Sequence, residues 1–256
     1  MRSRFRTWVG CNLFIIVANL GCYSDGDSAR VAVAASLSDV VPSLQTQFIE
    51  IKRQQGEEVN LEIIYGGSGE LIAQQRHSGL FESMFLASRE SMEPLLESGR
   101  LGHYSEIRLG NSLTLVSSDS SATKLEESLV RDFLVDGRPV AIGGLGVPAG
   151  DYARIWMNSI DGLDLSEVNL VEFPNVRAVV AAIEGGAVSS GFVYSTDVFN
   201  REGFVTMAQW APESGGAEYG YASVTGSRYG AEFGEYIADH TDHFVSAGFT
   251  VLLEGD

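Results

Sequence analysis

Four times along this chain an apolar run stops at small residues and hands over to helical spacing. The handovers fall at Ser36 after Val31 to Ala35, at Gly66 to Gly69 after Val59 to Tyr65, at Pro148 to Gly150 after Pro139 to Gly143, and at Asn175-Val176 after Val168 to Phe173. Val31 to Ala35 reads as a buried strand, while Leu37, Val40, Val41, Leu44 and Phe48 recur with helical period. This places Ser36 or Ser38 at a helix N-cap. Pro42 then falls in the second turn, so the helix either starts late or kinks there. A strand that ends at a helix N-terminus brings unpaired N–H groups and the positive end of the helix dipole to one point, which makes an anion cradle without a formal charge. One such unit is explained by capping alone; four of them point to a ligand.

The order of elements gives the fold class. In the first part, strands at 31–35, 59–65 and 81–87 alternate with helices marked by Leu37 to Phe48, Glu70 to His77, and Met92, Leu95 and Leu96. That βαβαβ order predicts a parallel, doubly wound sheet with its ligand crevice at the strands' carboxyl ends. From Asn111 the logic repeats, with strands at 113–117, 139–143, 168–173 and 191–194 and helices at 126–134, 151–159 and 176–184. A strand at 219–224 and a long helix over 229–245 return to the first unit. The expected architecture is a two-lobed α/β protein, each lobe a mixed sheet flanked by helices, with the cleft between them. Lobe 1 is assigned 29–108 plus 223–256, and lobe 2 is assigned 109–222.

Arg2, Arg4 and Arg6 precede an apolar stretch from Trp8 to Leu20, too short to span a membrane and followed at once by polar sequence. Residues 1–22 are read as an export signal and 23–28 as a polar tether. Cys11 leaves with the signal, so the mature chain holds no disulfide, which a fold of this size tolerates. The chain carries 34 acidic against 17 basic residues, a net charge of −17, so no basic surface exists for nucleic acid. That acidity does not exclude an anionic ligand, because an enclosed site responds to nearby dipoles more than to screened surface charge.

The four handovers share an offer of neutral donors: the hydroxyls of Ser36 and Ser68 and the N–H groups of Ala149 and Val176. A fully ionised tetrahedral oxyanion has only acceptors, so donors alone can select it against groups that must themselves donate. Other motifs lead nowhere. Gly66 to Glu70 comes within one residue of the serine-hydrolase elbow, but Glu70 replaces its last glycine and no Asp and His follow in matching contexts. Gly143 to Gly150 lacks the Lys-Ser/Thr pair of a phosphate loop. His240 and His243 sit one helical turn apart beside Asp239 and Asp242, but no third metal ligand accompanies them, and a solvated helix face accounts for them better. Tyr194, taken alone, reads as a core tyrosine. The chain is read as a binder, not an enzyme.

At these same residues the sequence resembles the periplasmic molybdate-binding proteins of ABC importers. The stretches AASLSDV (34–40), YGGSG (65–69), GNSL (110–113), VPAGDYA (147–153) and NVRAVVAAIEGGAVSSGFVYSTD (175–197) are similar to that family's in the same order. The resemblance implies a type II two-lobed fold and molybdate or tungstate as ligand, with no separate cofactor. It implies an ABC membrane permease as partner and a monomeric state. Carried residue by residue, it implies an oxyanion site of Ser36, Ser68, Ala149, Val176 and Tyr194, with molybdenum entering only as the oxyanion. The segment before Cys22 also resembles a bacterial lipoprotein signal, with Asn19 where that pattern wants an aliphatic residue; it implies lipidation of Cys22 and a membrane anchor, simple cleavage being the alternative. The chain departs from the family at Glu82 to Ser88, at Gly144, and by about five extra residues near Ile51 to Glu58. Sulfate, phosphate, a small carboxylate, or a sensor that has lost its ligand remain alternatives. Phosphate is disfavoured because its protonated form wants an acceptor, and only Glu70 and Asp151 lie at the edges of the matched loops.

Overall fold

The computed structural model describes residues 28–252 other than 88, 106, 108, 212–216, 218 and 225. The export signal with Cys22, most of the tether, and Ser88 lie outside the described residues.

β1 (Ser28–Ala34) is an interior strand, paired in parallel with β2 (Asn60–Gly66) on one side and β3 (Ser83–Leu86) on the other, which is why Val31 to Ala34 can be apolar without alternation. Between β1 and β2 runs α1 (Val41–Gln54), which buries Val41, Leu44 and Phe48. Neither Ser36 nor Ser38 caps it. Ala35–Leu37 form one 3-10 turn, and α1 starts late, with Val40 at its N-cap. Pro42 thus falls in the first turn, where its missing N–H has no intrahelical partner to lose. α2 (Ser68–Ser78) and α3 (Arg89–Glu97) flank β3, and β4 (His103–Ser105) follows.

The chain then passes through β5 (Leu109–Gly110) into a second sheet. That sheet is built from β6 (Leu113–Ser117), β7 (Val140–Gly143), β8 (Leu170–Phe173), β9 (Ser190–Tyr194) and β10 (Val205–Trp210), with α4 (Glu127–Leu134), α5 (Pro148–Ser159) and α6 (Val176–Glu184) around it. It returns to the first sheet as β11 (Gly220–Ser223) and closes with α7 (Arg228–Asp239), α8 (Asp242–Ser246) and β12 (Thr250–Val251). The first sheet has the order β2-β1-β3-β11-β4, the second β10-β6-β9-β7-β8, and β12 pairs with β5 between them.

Both large sheets are mixed, as expected, and the first keeps the parallel core of β2, β1 and β3 that its βαβαβ order predicts. The returning strand β11 runs antiparallel to β3 and β4, and β6 runs antiparallel to β9 and β10. The helix expected over 229–245 is two helices, because the chain leaves helical geometry at His240 (φ −123°, ψ 43°). One apolar cluster runs from Val31 and Leu37 in the first lobe through Leu109 and Tyr219 to Leu113, Phe192 and Tyr194 in the second. Tyr219 sits at its centre, 6.4 Å ring to ring from both Phe85 and Tyr194 and 5.5 Å from Phe249. These edge and tilted contacts span the two crossing segments and tie the lobes' cores together.

The first turn of α5 lies directly on the end of β7. A Cβ on Gly150 would stand 1.9 Å from the Gly143 carbonyl oxygen, with backbone as the obstacle. Gly150→Ala is therefore expected to destabilise the protein by at least about 2–3 kcal/mol through forced backbone displacement, measured by urea unfolding; an unchanged midpoint would show that the α5–β7 approach is not fixed.

Candidate functional site

The strand-to-helix handovers converge. Ser36, Ser68, Ala149, Val176 and Tyr194, the five residues singled out in the sequence, all line one cavity together with Ala34, Ala35, Gly66, Gly67, Ala87, Val147, Pro148 and Asn175. The cavity is small, about 20 Å³, and lies between the lobes. Among the described residues no charged side chain lines it.

Each donor is placed by local structure. Ser68 is the first residue of α2, Ala149 the second of α5 and Val176 the first of α6, so their N–H groups precede the first intrahelical bond. Asn175 caps α6 by accepting the Ala178 N–H at Oδ1 (3.0 Å), which leaves the Val176 N–H to face the cavity side of the helix end. Ser68 Oγ accepts the Ala87 N–H at 3.3 Å, so its own proton remains to donate. Three helix N-termini, each of eight residues or more, therefore aim their positive ends at one small space.

Tyr194 is buried, and among the described residues its hydroxyl has no hydrogen-bond partner. A buried unpaired hydroxyl costs about 1–3 kcal/mol, and here it borders the cavity. Burial raises its pKa well above the ordinary tyrosine value, so it stays a neutral donor.

The lobes touch at the mouth of the site. A Cβ on Gly67 would sit 2.6 Å from the Pro174 carbonyl oxygen, and one on Gly69 would sit 2.5 Å from that of Gly146, so backbone meets backbone across the cleft. Arg177 of α6 straps them. Its Nε donates to Ala35 O at 3.2 Å and its Nη2 to Asp39 Oδ2 at 2.6 Å, both in the first lobe. Behind Tyr194 lies Asp197, fully buried, whose Oδ2 accepts the Tyr194 N–H at 2.9 Å. Its Oδ1 is 3.4 Å from Arg177 Nε, an ion pair without a hydrogen bond. Sequence reasoning misses Arg177, Asp197, Asn111 and Tyr219 as site-supporting residues; their contacts span from 3 to 183 residues and leave no periodic trace.

His240 and His243 lie away from this cavity. His240 Nδ1 is 2.7 Å from Tyr236 O and His243 Nδ1 3.4 Å from Ser43 Oγ. Among the described residues no cluster of three or more His, Cys, Asp or Glu side chains could hold a metal ion.

Two mixed α/β lobes closing over a cavity of neutral donors define an extracytoplasmic solute-binding protein. The chain belongs to the bacterial extracellular solute-binding protein family, whose sequence profile matches residues 29–249. It is 26% identical over 232 residues to the molybdate-binding protein ModA of Escherichia coli (strain K12), covering 88% of each chain. In structure it resembles the periplasmic molybdate-binding protein of Azotobacter vinelandii, with a TM-score of 0.67, 18% identity, and coverage of 88% of this chain and 100% of that one. It also resembles the sulfate-binding protein SubI of Mycobacterium tuberculosis H37Rv, with a TM-score of 0.64, 15% identity, and coverage of 89% and 88%. These likenesses of structure carry the two-lobed fold. Among the described residues no helix is long and apolar enough to cross a membrane.

Burial pushes the Asp197 carboxyl up to about 6, against the opposing pull of Arg177 and the Tyr194 N–H. Its folded pKa thus lies above the unfolded value, and the native state takes up a proton first as pH falls. The resulting contribution to stability is full below about pH 4 and is lost as pH rises through about 6, a swing of roughly 1–3 kcal/mol. The melting temperature of the wild type relative to Asp197→Asn is expected to climb on acidification across that window; a difference that stays flat from pH 7 to 4 refutes the assignment.

Proposed function

We propose that this protein captures molybdate or tungstate outside the cytoplasm and delivers it to an ABC membrane permease. The observation that carries the reading is the donor set: hydroxyls of Ser36, Ser68 and Tyr194 and first-turn N–H groups of Ala149 and Val176 line one cavity whose described lining holds no charged side chain. A dianion with four acceptor oxygens satisfies such a set, and the buried Tyr194 hydroxyl gains a partner it lacks among the described residues. The similarity to ModA supports the choice of ion. None of the described lining residues is an activated nucleophile or a base, so binding and release are the chemistry proposed for it.

Delivery requires the lobes to part. Neutral donors hold the ion firmly when closure dries the site, and let it go once water enters, since no fixed countercharge stays behind. The lipid anchor belongs to the same reading: a lipidated Cys22 with a short polar tether would keep the protein beside its permease.

Titration calorimetry of the mature chain with molybdate, tungstate, sulfate and phosphate at one salt concentration tests the proposal. Tight binding of the first two is expected, with Ser36→Ala weaker by about 1–3 kcal/mol through loss of a charge-assisted bond. Preference for sulfate would transfer the function to that ion, as the likeness to SubI allows, and no heat with any ion would refute oxyanion capture. Arg177→Ala is expected to raise the ligand's dissociation rate about tenfold with little change in its association rate, because the strap forms only when the lobes meet. Stopped-flow kinetics read both rates, and an unaltered dissociation rate would remove Arg177 from closure.

A further inference from the structure

Ser36 is held at two points, and only one of them lies across the cleft. Its backbone carbonyl, with that of Ala35, accepts from Arg177 of the second lobe. Its hydroxyl has a separate support: Ser36 Oγ is 3.0 Å from the Tyr219 hydroxyl, its only hydrogen-bond partner among the described residues. Both residues are buried. The Tyr219 ring is itself clamped by Phe85, Tyr194 and Phe249, so packing fixes where its hydroxyl stands.

That hydroxyl is tied onward. The Asn111 carboxamide reaches it at 3.3 Å and Thr196 Oγ1 at 2.8 Å through Nδ2, and Ser195 Oγ at 3.2 Å through Oδ1. Asn111 precedes β6 and Tyr219 precedes β11, so the two stand on the segments that cross between the lobes, joined there by the Ala217 N–H to Asn111 O bond at 3.2 Å. Ser195 and Thr196 directly follow Tyr194. A polar chain thus runs from a cavity hydroxyl of the first lobe, through both crossing segments, to the residues beside a cavity hydroxyl of the second.

A serine side chain has three staggered positions, and an anion that must select one of them loses part of its binding free energy in ordering the donor. The bond to Tyr219 removes that choice for Ser36. Its hold does not depend on which hydroxyl donates, since either arrangement keeps Oγ in one place, and with Tyr219 as donor the Ser36 proton is left for an anion. Burial raises the Tyr219 pKa, so this hydroxyl keeps its proton throughout the physiological range.

We infer that Tyr219, with Asn111 behind it, is a positioning residue for ligand capture: it does not line the cavity, and it acts by holding the Ser36 hydroxyl in place before the ion arrives. The inference rests on the oxyanion reading given above. Ser68 offers the contrast, because its place is set by α2 and by the Ala87 N–H and owes nothing to Tyr219.

Tyr219→Phe made in three backgrounds of the mature chain, wild type, Ser36→Ala and Ser68→Ala, tests this by calorimetric titration with molybdate. In the wild type the change is expected to weaken binding about fivefold. In Ser36→Ala it is expected to cost nothing further, because the group it acts through is gone, whereas in Ser68→Ala the fivefold loss returns in full. A general loosening of the core would weaken binding by the same factor in all three backgrounds, and that result, or no loss in the wild type, overturns the positioning role. Should Tyr219→Phe fail to fold, as judged by its thermal melt, Asn111→Ala removes the tether of the Tyr219 hydroxyl and is expected to weaken binding about twofold with the same dependence on Ser36; an equal loss in every background is equally fatal. If the wild type binds no molybdate, the oxyanion reading itself fails. If it binds molybdate and the losses ignore Ser36, only the positioning role fails.

Discussion

Backbone N–H groups at the start of a helix have no partner within it, and everything else in this structure follows from gathering several of them at one place. α2, α5 and α6 each begin at the carboxyl end of a strand, and the strands belong to two different sheets. Such groups can be left unspent only where something else satisfies them. The glycines and small residues at the handovers serve that end. Gly67 and Gly69 let backbone approach backbone across the cleft, and Gly150 lets the first turn of α5 sit on β7, so the helix ends meet instead of being held apart by side chains.

The wall behind those groups is not uniform. The cavity surface is neutral, but one layer further out Arg177 is paired with Asp39 and approaches Asp197, and Arg201 also reaches Asp39 at 3.4 Å. The charges are engaged with each other, so they stiffen the site and join the lobes without presenting a fixed charge to its contents. Asp39 is half exposed, so its pairs with these arginines add little net stability of their own. Their value lies in geometry: Arg177 fixes the carbonyls of Ala35 and Ser36, and Asp197 fixes the Tyr194 N–H, so two of the hydroxyl donors on opposite lobes are referred to the same guanidinium.

How much of this is legible in the sequence depends on whether a feature is local. β6 and α6 fall on their expected bounds, because an apolar run between polar turns and a helical stripe of Val176, Val179, Val180 and Ile183 are patterns of adjacent residues. The short strands β4, β5 and β10 carry no such pattern, and the break between α7 and α8 lies in a polar stretch that reads as continuous helix. Ser36, one of two candidate caps in the sequence, is instead in a 3-10 turn, since Pro42 moves the start of α1 to Val41 and leaves room for one extra turn. The cavity residues follow from the repeated handovers and from family likeness, Tyr194 from likeness alone. Tyr219 and Asn111 are invisible in the sequence: their bonds to Ser36 and to each other link residues 183 and 108 apart, and only the folded core brings them together.

The acidity of the chain and the anion proposed for its cleft are compatible for a reason of distance and solvent. Surface carboxylates act through water and salt, and at physiological ionic strength their influence decays over about 8 Å. The cavity donors act at hydrogen-bond length in a space from which closure excludes water, where each dipole counts for several times its value in solution. A net charge of −17 therefore sets how fast an anion arrives more than how firmly it is held. The same asymmetry accounts for a cavity lining that, among the described residues, holds no arginine. A guanidinium there would speed arrival, but it would also hold any anion, protonated or not, and would keep its grip after the lobes had opened. Neutral donors of fixed direction give up some attraction at long range and gain discrimination at contact, together with a release that needs only the entry of water.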